Sequence, residues 1–238
     1  MIFSTVLAAG FGVRMHRQDL PKPFLMLGSK PIIIHTLEQF FINKNVDEII
    51  VVVANTWKSY AEDLINKYNI FGKEVAVICG GDSKTESVSL VTDYLFRNFK
   101  IGKDDIIIAH DAIRPFVTQR MINDNIEAVK SYNAVTTAMT TNDTIVVSTD
   151  GKHLHEIPQK YTMLAEQTPQ TFNLIKLHAM FEEVKSFGVD LKNETELARL
   201  YMRYGGEVGI VKGEYSNNKI INPYDLEIAN ALLMEKSK

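Results

Sequence analysis

A glycine loop near the N-terminus is the first feature whose chemistry suits ligand binding. The apolar residues 3–7 lead directly into residues 8–15, AAGFGVRM. Glycines let the backbone approach a ligand closely and present its N–H groups to an anion. Met15 stands where a dinucleotide fingerprint needs a third glycine, and no Gly-Lys-Ser/Thr closes the loop as in a P-loop. The loop is therefore either a simple turn or a nucleotide site of another kind.

Two cations accompany this loop. Arg14 lies within it, and Lys22 follows shortly afterwards in the dipeptide Pro21-Lys22. An arginine can fork across two phosphate oxygens, whereas a lysine acts as a compact point charge. Two cations on one connection after the first apolar run favour polyphosphate binding over a turn alone.

Two further polar segments each follow an apolar run. They are residues 110–116, HDAIRPF, and residues 80–87, GGDSKTES. Ligands of open α/β sheets gather beyond the carboxyl ends of strands, so we expect Asp111 close to the glycine loop. The structural alternatives are that Asp111 caps a turn with Arg114 as its ion-pair partner, and that Asp82 is only a helix N-cap.

The elements that must position these residues alternate along the chain. Short, β-branched apolar runs predict buried parallel strands at residues 3–7, 49–54, 75–79 and 106–109. Helical periodicity lies between them, at residues 33–41, 57–68, 83–96 and 119–131. Later elements are predicted as helices at 174–187, 194–204 and from Pro223, with a strand at 208–212. This alternation predicts an α/β fold with a mostly parallel central sheet.

The alternation breaks after Tyr132. Residues 134–140 and 144–148 predict two strands joined by residues 141–143, TND. We expect this segment, up to about residue 164, to be a protruding β-arm outside the main sheet. No repeat or linker divides the chain, so residues 1–238 form one domain in which an arm, about 141–164, is inserted for dimerisation. An arm of this kind cannot bury both faces alone, which predicts a homodimer.

Composition excludes several classes of protein. Hydrophobic residues make up 45% and charged residues 23%, an ordinary globular balance. Lys and Arg total 26 against 29 Asp and Glu, a net charge of −3, so no nucleic-acid partner is expected. No apolar run approaches the ~18 residues that cross a bilayer, so no membrane partner is expected. The single cysteine, Cys79, rules out an internal disulfide and indicates a cytoplasmic protein.

The motifs resemble one family over essentially the whole chain, in order. Beside the segments above, the sequence contains Asp143-Thr144, residues 167–172 (QTPQTF) and residues 218–220 (NKI). Together they are similar to the cytidylyltransferases that couple CTP to a polyol phosphate. Two groups are close: the methylerythritol-phosphate enzymes of isoprenoid synthesis and the ribitol-5-phosphate enzymes of teichoic acid or capsule synthesis. The resemblance implies a three-layer, Rossmann-like nucleotidyltransferase fold and a Mg²⁺ ion.

The resemblance also implies a role for each motif. The catalytic cations that hold the phosphates of CTP are Arg14, Lys22 and Lys219. The nucleotide-binding residues are Ala8, Ala9, Gly10, Gly12, Gly81, Asp82, Ser87, Asp111 and Ala112, with Asp111 also near the metal. The polyol-phosphate pocket contains Arg114, Thr144, Lys160 and Thr195, some of them reached across the dimer. Lys160 stands where the family commonly has Arg, and therefore lacks the bidentate fork.

These roles predict the reaction CTP plus an alditol phosphate to a CDP-alditol and pyrophosphate. The attacking phosphate is already an anion near neutral pH, so cations and Mg²⁺ matter more than a general base. Residues 32–38, 167–172 and 213–217 are more like the ribitol group, so D-ribitol 5-phosphate is the expected acceptor. The loop at residues 8–12 is more like the methylerythritol group, which is the alternative.

Two other classes of protein fit the sequence less well. A glycosyltransferase on a similar sheet would normally carry an Asp-x-Asp metal motif, and no two Asp residues have that spacing. A non-catalytic nucleotide sensor would not need three separate cations around one phosphate.

Overall fold

The computed structural model describes residues 1–10, 20–68, 73 and 75–236. Its strands are β1 (Ile2–Leu7), β2 (Met26–Leu27), β3 (Lys30–Pro31), β4 (Glu48–Val53), β5 (Val75–Cys79), β6 (Ile106–Asp111), β7 (Ala134–Thr140), β8 (Leu164–Asn173) and β9 (Gly209–Lys212). Its α-helices are α1 (Ile32–Phe41), α2 (Lys58–Tyr68), α3 (Lys84–Asn98), α4 (Gln119–Tyr132), α5 (Leu174–Ser186), α6 (Leu197–Tyr204) and α7 (Pro223–Lys236). Gly12 and Arg14, two predicted site residues, lie outside the described residues.

The described strands form one seven-stranded sheet and one small hairpin. The order in the large sheet is β5-β4-β1-β6-β8-β7-β9, and only β8 runs antiparallel to its neighbours. The predicted α/β fold with a mainly parallel sheet is therefore confirmed. Strand β7, which was predicted as part of an arm outside the sheet, instead lies between β8 and β9.

Helices cover both faces of this sheet and make three layers. Apolar side chains of α1, α2 and α4 pack on one face, including Leu37, Ile65 and Ile126. Side chains of α3, α5 and α6 pack on the other face, including Val91 and Phe181. The central strands β1, β4 and β6 bury nearly all of their residues because helices cover them on both sides.

Helix α7 packs against the segment that contains the β2–β3 hairpin. Leu25 and Leu27 of this segment share a buried cluster with Ala229 of α7. Gly28, at the hairpin turn, has φ +60, and a Cβ there would lie 2.7 Å from Leu233. The turn therefore needs glycine for its conformation and for the close approach of the helix. The short 3-10 helix Lys22–Phe24 directly precedes this hairpin.

The arm, residues 141–163, has little regular structure. The strand predicted at 144–148 is wrong, since this stretch has only an isolated bridge between Val147 and Glu156. The apolar side chains of Ile145 and Val146 are 37% and 48% exposed. Among the described residues, the apolar alternation of this stretch therefore does not place one face in the core.

Strand β8 was not predicted as a strand, and Pro169 explains why. Proline removes a ladder hydrogen bond, so a proline within a run argues against a central strand. The pairing of β7 with β8 shifts between Thr136 and Thr137, which oppose Gln170 and Gln167. This bulge accommodates Pro169 and the residue before it.

Candidate active site

The carboxyl ends of β1 and β6 lie side by side and form the centre of the site. Leu7 of β1 pairs with Asp111 of β6 in a parallel register. The chain that leaves β1 therefore brings residues 8–10, the described part of the glycine loop, next to Asp111. The backbone N–H of Ala8 donates to the carbonyl of Val52 at 2.7 Å, which fixes the start of that loop.

A first cavity of about 320 Å³ opens at these strand ends. Its walls include most of the residues predicted to bind nucleotide, namely Ala8, Ala9, Gly10, Gly81, Asp82, Ser87 and Asp111, together with the predicted cations Lys22 and Lys219. Lys22 is buried, with 8% of its surface exposed. Ala112 does not line this cavity, because its N–H donates to the Leu7 carbonyl and its carbonyl accepts from Thr36.

The segment between β5 and α3 forms one wall of this cavity. A Cβ on Gly80 would lie 2.7 Å from the Cβ of Ala9, so glycine is needed for the two loops to meet. The hydroxyl of Ser87 accepts from the N–H of Gly81 at 3.1 Å. Ser83, and not Asp82, caps α3, with its hydroxyl accepting from the N–H of Glu86 at 2.9 Å. Asp82 instead pairs with Lys192 at 2.8 Å.

A second cavity of about 410 Å³ adjoins the first. It is lined by Lys84, Asp111, Arg114, Glu166, Gln167, Thr168, Thr195, Glu196 and Lys219. Three of these side chains, Lys84, Asp111 and Lys219, also line the first cavity. Two ligands that occupy the two cavities would therefore meet at these three residues.

Two residues predicted for the polyol-phosphate pocket lie elsewhere. Thr144 and Lys160 are exposed on the arm and line neither cavity. The ammonium group of Lys160 donates to the carbonyl of Asn142 at 2.6 Å, within the arm itself. Within one chain the structure thus brings Arg114 and Thr195 to the second cavity but not these two.

Asp111 is the electrostatic centre of the site. Its Oδ2 lies 3.2 Å from Nε of Arg114 and 3.1 Å from Nζ of Lys219. Burial by itself raises the pKa of Asp111, but the positive charges of Lys84, Lys219 and Arg114 outweigh burial and hold it well below its usual value. The Asp111 carboxylate therefore stays ionised, and the three cations that act on it carry more charge than it does. The Asp111–Arg114 ion pair considered as a structural alternative therefore exists, but it lies inside the cavity.

A buried hydrogen-bond relay fixes the orientation of this turn. The N–H of Asp111 donates to the hydroxyl of Thr168 at 3.1 Å, and that hydroxyl lies 3.0 Å from Nδ1 of His110. Nε2 of His110 lies 3.0 Å from the carbonyl of Arg114. Burial lowers the pKa of His110 to about 4, so the ring is neutral at pH 7. A neutral ring donates from Nε2 to the carbonyl of Arg114 and accepts at Nδ1 from the hydroxyl of Thr168. Both ring nitrogens and the Thr168 hydroxyl then have hydrogen-bond partners.

Sequence reasoning missed Lys84 and the roles of His110 and Thr168. All three lie in segments that the motifs included, residues 80–87, 110–116 and 167–172. No spacing within the sequence indicates that Thr168 faces His110, because they are 58 positions apart and meet only across β6 and β8. The signal available in the sequence was Lys84 itself, a cation that follows the glycine pair 80–81 and the serine cap of α3.

Asp111 also has the chemistry to hold a hard divalent cation. Its Oδ1 makes no hydrogen bond or ion pair with any residue that the structure describes, whereas Oδ2 is engaged by two cations. Mg²⁺ is commonly held by one or two carboxylates together with substrate phosphates and water. One ionised, partly engaged carboxylate at the junction of two cavities fits that pattern.

Comparisons with known proteins agree with this geometry. The chain matches the sequence model of a family described as 2-C-methyl-D-erythritol 4-phosphate cytidylyltransferase over residues 2–235. The solved structure of 4-diphosphocytidyl-2C-methyl-D-erythritol synthase from Anaerococcus prevotii is similar at a TM-score of 0.80 and 26% identity, covering 98% of this chain and 96% of that one. The 2-C-methyl-D-erythritol 4-phosphate cytidylyltransferase of Francisella tularensis is similar at 0.78 and 26%, covering 97% and 98%. The enzyme of that name from Thermus thermophilus, at 0.72 and 22% with 97% and 98% covered, supports the fold.

Proposed function

The chain belongs to the 2-C-methyl-D-erythritol 4-phosphate cytidylyltransferase family, and from this we propose that it transfers the cytidylyl group of CTP to 2-C-methyl-D-erythritol 4-phosphate. Enzymes of this family are CTP-dependent nucleotidyltransferases, which confirms the enzyme class that the sequence predicts. The observation that supports the proposal best is the pair of cavities that meet at Lys84, Asp111 and Lys219. One cavity suits the nucleotide, and the other suits a second phosphorylated substrate.

The choice of acceptor follows the family. The sequence favoured D-ribitol 5-phosphate, but neither the family model nor the similar structures support that substrate, and they fit the methylerythritol alternative better. The described walls of the second cavity are all polar or charged, which suits a polyol phosphate of either kind. Ribitol 5-phosphate is therefore the comparison substrate for an assay.

In the proposed reaction a phosphate oxygen of the acceptor attacks the α-phosphorus of CTP. The new P–O bond forms as the bond from the α-phosphorus to the bridging oxygen of the β-phosphate breaks, and pyrophosphate leaves with that oxygen. The second pKa of a phosphate monoester is about 6, so the attacking oxygen needs no general base at neutral pH. The protein must instead hold two anions together and stabilise the charge that develops between them.

We assign the charged residues to the two substrates as follows. Lys22 and Lys219 in the first cavity hold the phosphates of CTP, together with Arg14, whose role rests on the resemblance alone. Arg114 and Thr195 in the second cavity hold the acceptor. Ala8, Gly81, Asp82 and Ser87 surround the nucleoside. Asp111 orients Arg114 and Lys219 by pairing with both.

Enzymes of this family generally use a divalent metal ion. We propose that it is Mg²⁺ and that Oδ1 of Asp111 and the phosphates of CTP hold it. When bound, the ion neutralises phosphate charge and polarises the phosphoryl group.

We also propose that the enzyme is a homodimer in which the arms of two copies pack together. The arm's exposed apolar side chains, including Leu154 at 65% and Ile157 at 57%, support this arrangement because the described part of one chain leaves most of their surface uncovered. Thr144 and Lys160 would then reach the second cavity of the partner copy. Sedimentation of a stable, active monomer at micromolar concentration would contradict the dimer.

The single cysteine supports a cytoplasmic location. No described helix is long and apolar enough to span a membrane.

Pyrophosphate release from Mg-CTP tests the proposed reaction. We expect release with 2-C-methyl-D-erythritol 4-phosphate, none with CTP alone, and a kcat/KM for ribitol 5-phosphate lower by at least about tenfold. The reverse order would identify ribitol 5-phosphate as the acceptor, and no release with either would contradict the function.

Arg114→Gln should raise the KM of the acceptor more than about tenfold, by loss of a charge-assisted contact. Arg120→Gln, on neighbouring α4 and lining neither cavity, is the matched control.

A further inference from the structure

Lys84 is a cation at the junction of the two cavities to which none of the assignments above gives a role. Its side chain lines the first cavity beside Lys22 and the second beside Arg114. It is half-buried and is the first residue of α3, directly after the Ser83 cap. Its charge is therefore presented to both substrate spaces at once.

The charge of Lys84 acts on Asp111, but Lys84 forms no ion pair with any residue that the structure describes. Lys219 and Arg114 each lie within 3.2 Å of a carboxylate oxygen of Asp111, whereas no described carboxylate lies within ion-pair distance of the Lys84 ammonium group. A half-buried cation that forms no ion pair can take a bound anion as its hydrogen-bond partner. The open side of Lys84 faces the cavities, where phosphates would bind.

The position of Lys84 is also unfavourable for the helix itself. The first turn of a helix has unpaired N–H groups and a partial positive charge, so a cation there is repelled and an anion is attracted. A lysine at this position therefore adds nothing to the stability of α3. Its placement is accounted for if the negative partner is a bound ligand.

We propose that Lys84 is a further catalytic residue, whose ammonium group contacts the α-phosphate of CTP before and during its transfer to the acceptor. This inference rests on the proposed function, since it deepens the account of the same site. The phosphoryl group in transfer spreads negative charge over its three equatorial oxygens. Lys219 and Lys84 line both cavities and thus meet this group where the entering and leaving oxygens lie in line.

Lys84→Gln tests the contact because it keeps a flexible polar side chain and removes the charge. We expect a Kd for CTP, measured by calorimetry without acceptor, that rises about tenfold, the scale of one lost charge-assisted hydrogen bond. We expect kcat/KM to fall roughly 10²–10³-fold, as for the loss of one preorganised electrostatic contact. Lys84→Arg keeps the charge and should recover activity to within about tenfold of the wild type.

Stability measurements separate this role from a structural one. Because a cation is unfavourable at a helix N-terminus, the Tm of Lys84→Gln should equal or exceed that of the wild type. Lys58→Gln is the matched control, since Lys58 is the first residue of α2 and lines neither cavity. It should leave Tm, CTP affinity and turnover close to wild type.

Three results would overturn the proposal. They are an unchanged CTP affinity and turnover in Lys84→Gln, a loss of activity that accompanies a fall in Tm, and an equal loss in Lys84→Arg. If the wild type binds CTP but releases no pyrophosphate with any acceptor, the proposed function fails. The CTP affinities of the two variants and the wild type then still decide whether Lys84 contacts the nucleotide.

Discussion

Polar groups find their hydrogen-bond partners in different ways in two regions of the molecule. One is the strand-end region, residues 7–10, 110–114 and 167–168, and the other is the arm. In the strand-end region His110 and Thr168 are 0% and 2% exposed, and their polar atoms bond to one another. In the arm every hydrogen bond of the Asp150 side chain to a described residue reaches a neighbour within three positions, such as His153. One region is held by contacts between distant strands and the other by local turns.

The difference shows which geometry a single chain determines. A buried polar group costs free energy unless it is paired, so the strand-end relay persists only in one arrangement. Exposed polar groups exchange their partners for water at little cost, so the arm's local bonds do not select one arrangement. We therefore expect substitutions to have large effects in the strand-end region and small effects in the arm of the isolated chain.

The largest effect is expected for Lys22→Gln, on the wall of the first cavity. Removal of one preorganised charge at a transferring phosphoryl group should lower kcat roughly 10²–10³-fold, measured as pyrophosphate release. Lys152→Gln in the arm is the matched control, because the side chain of Lys152 is exposed and far in sequence from the site. A Lys22→Gln enzyme with more than a tenth of the wild-type kcat would contradict the large effect expected in the strand-end region.

A second effect concerns pH. Burial lowers the pKa of His110 to about 4 from its ordinary 6.5, so between these values the unfolded chain binds a proton that the folded protein does not. The contribution of His110 to the free energy of unfolding is therefore complete above about pH 6.5 and is lost as the pH falls towards 4. The loss is about 3 kcal/mol, at 1.36 kcal/mol per pKa unit. Chemical unfolding between pH 4 and 7 should show this slope in the wild type and a flatter one in His110→Asn.

Asp111 has a lowered pKa as well, but its contribution is lost only below the ordinary carboxylate range, and so outside this window. Equal slopes in the wild type and His110→Asn would contradict the prediction.

The smallest effect is expected at the base of the arm. The Tyr215 hydroxyl donates to Oδ1 of Asn142 at 2.9 Å, and Tyr215 is 59% exposed. Tyr215→Phe should reduce the free energy of unfolding by about 0.5 kcal/mol or less, as surface substitutions do. Thr168→Val removes a buried hydroxyl from the strand-end relay and should cost about 1–3 kcal/mol. Urea unfolding measures both, and a reversed order would show that the arm is the more firmly fixed region.

Periodicity in the sequence predicted most of the sheet, since β1, β4 and β6 are continuous apolar runs between helical segments. It failed at β8, where Pro169 sits in a bulge, and at residues 144–148, where apolar alternation has no partner. Glycines and prolines mark the loops of Lys22 and Asp111, whereas Lys219 was identified through the family resemblance alone. The motifs did not reveal Lys84 or Thr168, whose roles depend on cavities and strand pairs that only the folded chain creates.

The packing of α7 on the β2–β3 hairpin has a consequence for synthesis of the chain. The hairpin continues directly from the turn that contains Lys22, and its apolar side chains pack with residues about 200 positions later, such as Ala229 and Leu233. A nascent chain can assemble β1, β4 and β6 while α7 is still untranslated. The Lys22 segment can already pack at that stage, because the ring of Phe24 contacts Trp57 and Tyr60. Translation of α7 is therefore the step that covers the hairpin beyond Lys22, after the central sheet has formed.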